Sequence, residues 1–590
     1  MPCTPCHIAG SLLPLGEEEA SLGDRLTVQW LYRHSRDQLV PLLVVIAGNA
    51  VLALGGVALA LISRHIIDSA VTGDRRALIS FALMLLGLML LQLLLNLLCR
   101  WLEGITKAGL EMKYKSRLFD QLLRKDYAAV SAYHSGELLN HLTNDIVIVA
   151  DGITTIVPSL AAMLTRLAGA FAVLVAIDPT FALIFALAGC FVFLVVRAFR
   201  GLMKQLHKRV QETDGRVRSF MQESLENLLV VKIFAVQEQV VDQAVRLQQR
   251  NYQAKGKRIT AGMVANSGFG FIFQAGYLYA LLWGAYKLYT QAISFGTLTA
   301  MLQLVGQVQT PFVGLSGLVP KYYALLASAE RVLELEQLAD EREFEQEQTT
   351  DTAGLEDGFG SLEFRQVSFA YSRDTDGDTV LKQVSLTISK GDFVFLSGTS
   401  GIGKSTFLKL LLGVYQPNQG EIYLQMKDGR SIKIDRQVRR LFAYVPQGNL
   451  LLSGTIKDNI TFIKPDAKEA AIRRAARLSC AEEFINRLPQ GLDTVIGEKG
   501  HGLSAGQIQR LAIARAILSD APILLLDEAS SALDEDTEQK LLGNIKSLPG
   551  RTCLIVSHRR AALAICNKEV CFVDGTIVSR DVGLSGKKFN

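Results

Sequence analysis

Gly398-Thr399-Ser400-Gly401-Ile402-Gly403-Lys404-Ser405 follows the apolar run 393–396 and precedes the helical pattern 406–412. This is the spacing G-x-x-x-x-G-K-[ST] set between a strand and a helix, the arrangement of a phosphate cradle. Its glycines let backbone N–H groups turn towards phosphate oxygens, and the helix start, opened by Thr406, adds a favourable dipole. Lys404 is placed to reach the β and γ phosphates and the Ser405 hydroxyl to ligate Mg2+. A chance match in a glycine-rich turn would lack both flanks. Further on, the apolar run 523–526 stops at Asp527-Glu528. A buried strand ending in a carboxylate puts Asp527 beside the cradle to hold a metal, and Glu528 where it can polarise an attacking water. Two acids after a strand are common on a plain surface; the cradle gives this pair its meaning.

Around these motifs, short strand-like runs (393–396, 442–445, 523–526, 552–556) alternate with helical stretches, the pattern of an α/β sheet with crossover helices. The rest of the chain is different. With 590 residues the polypeptide exceeds what one core organises, and 49% apolar against 20% charged residues is too greasy for most cytosolic enzymes. A formal net charge of only +5 gives no nucleic-acid footprint.

The charges are unevenly placed. None occurs between Asp37 and Arg64 or between Arg76 and Arg100; Arg166 alone interrupts 153–177, none falls in 179–196, and Lys287 alone interrupts 259–320. Each stretch is long enough for the ~30 Å hydrocarbon core, and the expectation is six membrane helices at about 38–63, 77–99, 153–177, 179–199, 259–286 and 296–320. The loops 104–152 and 199–258 are long and rich in Lys and Arg, whereas 178–180 and 290–296 hold none. This bias places the N-terminus, the long loops and everything after the sixth span in the cytoplasm; only Arg75-Arg76 dissents. The long loops themselves carry apolar residues at helical spacing and read as extensions of the spans. No cleavable signal peptide is visible, since Glu17-Glu18-Glu19 stand where an apolar run would be needed. The acidic stretch 340–360 reads as a solvated linker.

Taken with the motifs, this organisation resembles that of the ATP-binding cassette transporters, specifically exporter-type half-transporters with a membrane domain fused to one nucleotide-binding domain. The likeness covers nearly the whole chain. Leu503-Ser504-Ala505-Gly506-Gln507 resembles the family's signature loop, Tyr444-Val-Pro-Gln447 its Q-loop, Ser531-Ala-Leu-Asp534 its D-loop, and Ser557-His558 its switch histidine. Tyr371 stands where the adenine-stacking aromatic belongs. The resemblance implies an all-α six-helix membrane domain (37–335, after an N-terminal segment 1–36), a linker (336–360) and an α/β ATP-binding domain (361–585). It implies an ATPase that drives transport across the cell membrane, with ATP and Mg2+ as cofactors. Glu528, His558 and Gln447 would be catalytic, with Ser405, Gln447 and Asp527 around the metal. Two such domains close head to tail in the family, so Ser504 would meet ATP held by a second half-transporter. The implied activity is export of an amphipathic solute, peptide, drug or lipid; import of a small molecule such as a metal chelate, or an ATP-switched regulator without transport, stay open. By the same resemblance the coupling contacts fall near 124–133 and 213–221.

Three departures from the family pattern stand out. Ala505 replaces a usual glycine, and alanine tolerates a positive φ or a close phosphate approach less well; members with altered signatures sometimes pair with a different chain, so both a homodimer and a heterodimer are open. The tail after 575 is short and polar for the usual closing helix, and no peptidase domain precedes the membrane part. For the cargo, Arg166 in mid-span faces a cavity or a partner, and Gln274, Gln303, Gln307 and Gln309 with Asn266 form a polar stripe that either glues helices or lines a cavity. The eight cysteines show no metal spacing; Cys3-Thr-Pro-Cys6-His7 fits a haem-attachment string, but its cytoplasmic address favours a reduced tail.

Overall fold

Hydrocarbon offers no partner for backbone N–H and C=O groups, so near-charge-free runs of this length fold as helices. The computed structural model describes residues 27, 29–31, 33, 35–341, 358–371, 379–448, 451–497, 500 and 502–582, without the side chains of 190–198, 200, 204, 313, 316 and 560. The expectations for 1–26 (Cys3, Cys6 and His7 included), for the linker over 342–357 and for the tail beyond 582 lie outside the described residues.

The first part is helical throughout: α1 (Leu39–Thr72), α2 (Arg75–Arg124), α3 (Tyr127–Ser131), α4 (Ser135–Asn140), a π-helical turn (His141–Asp145), α5 (Ile146–Ile177), α6 (Pro179–Glu226), α7 (Leu228–Ile233), α8 (Gln237–Tyr289) and α9 (Phe295–Glu336). The six expected spans fall on α1, α2, α5, α6, α8 and α9, and the long loops are indeed helical extensions of them. Among the described residues, 39–72, 75–124 and 135–177 are long and apolar enough to cross a bilayer by length and composition.

Capping defines the turns. Asp178, the N-cap of α6, accepts from the Thr180 and Phe181 amides at 3.0 and 3.1 Å with Pro179 at the first helical position, which makes the α5–α6 connection as tight as the sequence suggests. Trp283 Nε1 on α8 donates to the same carboxylate at 3.1 Å. Asp68 near the end of α1 accepts from the Ser294 hydroxyl (2.8 Å) and the Gly296 amide (2.9 Å) at the start of α9. α5 packs against α1 and α9, and α6 against α8, around Val57, Ala170, Leu174, Phe181, Ala280 and Leu304. Small residues bring the helices close: a Cβ on Gly284 would stand 2.4 Å from Leu298.

In the second long loop, the stretch 213–221, where coupling contacts are expected, holds no turn. Residues 213–221 lie inside the unbroken helix α6, where the Thr213 hydroxyl bonds back to the Arg209 and Val210 carbonyls. The break comes at Asn227, whose side-chain amide donates to the Glu223 carbonyl, and at Ala235, in the left-handed region at φ +53. The turn therefore presents Leu225, Leu229, Ile233 and Phe234, each about 70% exposed. In the first long loop, by contrast, α3 lies within the expected 124–133.

Chain contacts divide the molecule into two compact units, and residues 122–134, with α3, group with everything after 337 rather than with the helical part. In this second unit β1 (Phe359–Phe369), β2 (Leu381–Ser389), β4 (Gln419–Met426) and β5 (Ser431–Lys433) form an antiparallel sheet in the order β2-β1-β4-β5. A six-stranded sheet runs β12-β11-β3-β10-β9-β6, built from β3 (Phe393–Ser397), β6 (Phe442–Val445), β9 (Ile523–Asp527), β10 (Thr552–Val556), β11 (Lys568–Val573) and β12 (Thr576–Asp581). All its pairings are parallel except β11 with β12. The four strands read from sequence are adjacent here, and β9 and β10 are buried at every position, as central parallel strands must be. The pair β7 (Gly454–Thr455) and β8 (Val495–Ile496) flanks this core, with α10 (Lys404–Leu411), α11 (Ile456–Thr461), α12 (Glu469–Leu478), α13 (Glu482–Arg487), α14 (Ala505–Leu518) and α15 (Glu535–Lys546) as the helices.

Candidate nucleotide and substrate sites

In an open parallel sheet, loops leaving the carboxyl ends of adjacent strands converge on one edge. Here β3, β10, β9 and β6 are consecutive neighbours, and their carboxyl ends carry the 398–405 loop, His558, Asp527-Glu528 and Gln447 respectively. Strand order alone thus gathers groups scattered over some hundred and sixty positions of chain into one cluster.

Gly398, Gly401 and Gly403 all have positive φ (+145, +81 and +110), and a Cβ on Gly403 would meet Val380 Cγ1 at 2.6 Å, so the cradle's glycines are required by conformation and by space. Lys404, 6% exposed, directs its ammonium into the loop and donates to the Gly398 and Thr399 carbonyls at 2.8 and 2.9 Å. Ser400 and Gly401 lie exposed on the outer turn and Ile402 is half-buried. Ser405, one residue into α10, hydrogen-bonds to Asp527.

Asp527 is buried and accepts from the Tyr444 hydroxyl at 3.2 Å through Oδ2, whereas Oδ1 has no hydrogen-bond partner. Burial pushes its carboxyl above the usual range; Ser405 and Tyr444 pull it back only in part, and Glu528 adds to the rise. An orphaned, desolvated carboxylate oxygen beside a serine hydroxyl fits a hard divalent cation. Glu528 sits in the left-handed region at φ +51, held there by its amide's bond to the Val556 carbonyl at 3.0 Å. Non-glycine residues hold such a conformation only when the surroundings impose it, and such strain gathers at functional sites. Gln447 Nε2 donates to Glu528 Oε2 at 2.7 Å, and His558 Nε2 lies 3.2 Å from Oε1. The three expected catalytic side chains are therefore in direct contact.

Tyr371 keeps a ring 60% exposed, and its hydroxyl bonds to Thr406 at 2.7 Å, tying the aromatic to the cradle helix. Ser504 caps α14 in a reciprocal box with Gln507: the Gln507 amide donates to Ser504 Oγ at 3.3 Å and the Ser504 amide to Gln507 Oε1 at 2.8 Å. Leu503 packs on the core beneath. Ala505 opens this helix in ordinary helical backbone and is exposed, so the strain expected of an alanine at this place does not arise. The constrained residue is Gly506, whose Cβ would stand 2.9 Å from the Ala532 carbonyl of the 531–534 turn. Asp534 caps α15, accepting from the Thr537 amide at 2.9 Å.

Sequence reading passed over several partners of the site. Gln509 ties the signature helix to the same turn, donating to Ser531 Oγ and accepting from the Ala532 amide, both at 3.0 Å. Arg559, next to His558, donates to the Leu533 and Ser531 carbonyls and to Glu538. Tyr444 lies in the Q-loop stretch and Gln509 opens the run 509–516 that resembles the family's signature helix, but neither position gives a sign of these contacts, and Arg559 lies in no motif.

Among the helices of the first unit, a cavity of about 810 Å³ opens between α5, α6, α8 and α9, lined by Leu167, Phe171, Phe185, Ile272, Phe273 and Phe312 among others. Among the described residues its one amide side chain is Gln309, which donates to the Phe273 carbonyl at 3.0 Å. Arg166, Gln274, Gln303 and Gln307 do not line it. Gln307 donates to the Gly56 carbonyl at 2.6 Å, the gluing role, while Oε1 of Gln303 and of Gln307 are buried without partners; Arg166 is half-buried and Gln274 exposed.

The family model for the ABC transporter transmembrane region matches residues 42–312, and a second, described as ABC transporter, matches 381–531. A lipid A-core flippase of Methylococcus capsulatus is 30% identical over 87% of this chain and 84% of its own length. The chain belongs to the ABC transporter family. A lipid A-core flippase of Escherichia coli is 28% identical, with 86% of each chain covered, and an uncharacterised ABC transporter ATP-binding protein of Bacillus subtilis is 29% identical over 81% of this chain. A bacterial Atm1-family ABC exporter with ATP bound superposes with a TM-score of 0.77 at 23% identity, covering 92% of this chain and 94% of that one. This ABC transporter is accordingly an integral membrane protein whose ATP-binding domain is an ATPase driving transport, and its fold is that of an ABC exporter. Half-transporters of this kind function as dimers.

Proposed function

We propose that the protein exports an amphipathic, lipid-like solute, using ATP bound and hydrolysed between two copies of this chain. The observation that carries the substrate class is the 810 Å³ cavity with its aromatic and aliphatic lining, which offers an apolar tail a place among the helices and a charged peptide none. Relatives named as lipid A-core flippases support the same class. The basic loops support a cytoplasmic N-terminus and ATP-binding domain with six spans between, in the cell membrane.

In this reading Tyr371 stacks on adenine, the 398–406 cradle holds the phosphates, and Ser405, Asp527 and Gln447 hold Mg2+, which would neutralise phosphate charge. Glu528 takes the proton of the attacking water while Gln447 and His558 orient it. Ser504 and the start of α14 complete the cage on ATP held by the partner.

The test uses the full chain in phospholipid vesicles containing a tail-labelled amphipathic lipid, with Glu528→Gln as the inactive reference. ATP should drive the label across the bilayer in the parent, and Ala168→Trp, at a position of α5 that lines the cavity, should lower that rate by about tenfold with basal ATPase within about twofold. Undiminished lipid movement with the cavity filled would sink the substrate class.

A further inference from the structure

Residue Tyr415, which no motif singles out, lies between the ATP site and α3. Its ring meets Tyr371 edge-on at 5.5 Å and 89°, and on the other side it meets Tyr127 of α3 at 6.0 Å and 76°. Phe369 closes the cluster at 5.6 Å from Tyr415 and 5.1 Å from Tyr371, and the Lys409 ammonium of α10 lies 5.8 Å from the Tyr415 ring. The Tyr415 hydroxyl is hydrogen-bonded to Ser131, so α3 is held at both ends of this ring.

Backbone and charge fasten the same segment. The Asp126 amide donates to the Ala339 carbonyl at 2.9 Å, the Glu341 amide to the Arg124 carbonyl at 3.0 Å, and Lys125 pairs with Asp340 at 2.8 Å. α3 is thus seated on the ATP-binding unit by a fixed frame, with one aromatic contact pointing at the base end of the site. Edge-to-face rings transmit displacement because their geometry is directional: a Tyr371 ring that turns to stack on a purine must carry Tyr415 with it or break the contact.

We propose that Tyr415 is a positioning residue that links the base end of the ATP site to α3, so that α3 responds to the adenine ring itself whether or not a γ-phosphate is present. The link rests on the adenine-stacking role of Tyr371. It differs from dimer closure, which needs the γ-phosphate, and it places a report of nucleotide identity on the segment that joins α2 to α4.

The test follows amide hydrogen exchange of 122–134 and of 398–411 in the full chain in phospholipid nanodiscs, with Mg2+ and either ADP or inorganic tripolyphosphate. ADP should slow exchange at 122–134 by about tenfold and tripolyphosphate by less than about twofold, although both slow 398–411. In Tyr415→Ala the ADP effect on 122–134 should vanish while that on 398–411 stays, and Tyr415→Phe should restore it. Should Tyr415→Ala lose the response at 398–411 as well, Tyr127→Ala, which removes the ring from the α3 side, decides the question with the same expectation. Tripolyphosphate acting as strongly as ADP, or an undiminished ADP effect at 122–134 in the alanine variant, overturns the proposal. Separately, a Tyr371→Ala chain that binds ADP as tightly as the parent would remove the base-stacking role on which the link depends.

Discussion

Gly506 and Ala505 are neighbours at one helix start yet stand under opposite constraints. A methyl on Gly506 would press on the Ala532 carbonyl at 2.9 Å, a backbone atom that cannot swing away, whereas the Ala505 methyl already points into open space. Overpacking of this kind costs about 1–3 kcal/mol, and here it would be relieved by shifting the 531–534 turn that Gln509 and Arg559 hold. Gly506→Ala should therefore lower ATP turnover by about tenfold or more, and Ala505→Gly should leave it within about twofold, as read by phosphate release. Parental turnover in Gly506→Ala would mean that the turn is free to move. The cradle and the acids were legible because their chemistry demands fixed spacings within a short run of chain, and His558 only through its place in the family's order of motifs. Which glycine of the signature is constrained was not, because the atom that constrains it comes from a turn some twenty-five positions away.

Helices were legible as elements because hydrocarbon leaves no other solution for the backbone, but what they do to one another was hidden. Of the polar side chains that the sequence left between gluing helices and lining a cavity, Gln309 reaches the pocket whereas Arg166, Gln274, Gln303 and Gln307 do not, and the pocket's own lining reads in sequence as ordinary lipid-compatible surface. The second long loop turns beyond 213–221: the Thr213 hydroxyl satisfies itself within the helix, Gly215 does not interrupt it, and the break comes at Asn227. Equally silent is the π-helical turn before α5. There Asp145, 1% exposed, receives Arg331 of α9 through two bonds (3.0 and 2.5 Å), Ser328 at 2.8 Å and His141 at 2.7 Å, fastening α5 to the helix that leads into the ATP-binding unit. Burial pushes the Asp145 carboxyl up, but the bonds from Arg331, His141 and Ser328 outweigh it and hold the pKa at about 2. With an unfolded value of ~3.9, the stabilisation is complete above roughly pH 4 and is lost as pH falls through about 2. Asp145→Asn should then destabilise the chain by about 3 kcal/mol, the lower end for a broken buried pair since Arg331 is half-exposed, from roughly pH 8 down to pH 5. The gap to the parent should close below roughly pH 4; thermal unfolding in detergent that gives equal stabilities near neutral pH would show the network to be dispensable.

At the scale of the molecule, one chain holds a full set of parts that it does not assemble by itself. The 398–405 loop, Asp527 and Glu528 share one sheet edge, whereas Ser504 bonds within its own helix start and Gly506 packs on the 531–534 turn, with no hydrogen bond to 398–405 among the described residues. In the proposed dimer of identical chains, the unstrained backbone of Ala505 and the presence of Glu528 are what support a second copy of the chain as the partner. Copies in a closed two-fold arrangement each lend α14 to the other's cradle, so both sites depend on both chains. Mixing parent with Glu528→Gln chains before reconstitution turns that dependence into a number. If both sites must turn over, an equimolar mixture leaves about one quarter of dimers intact, and ATPase should fall to about one quarter of the all-parent rate. A fall only to about one half would mean that each site works independently of its neighbour's chemistry. No hydrolysis from the purified parent chain by itself would instead require a different subunit to complete the cage.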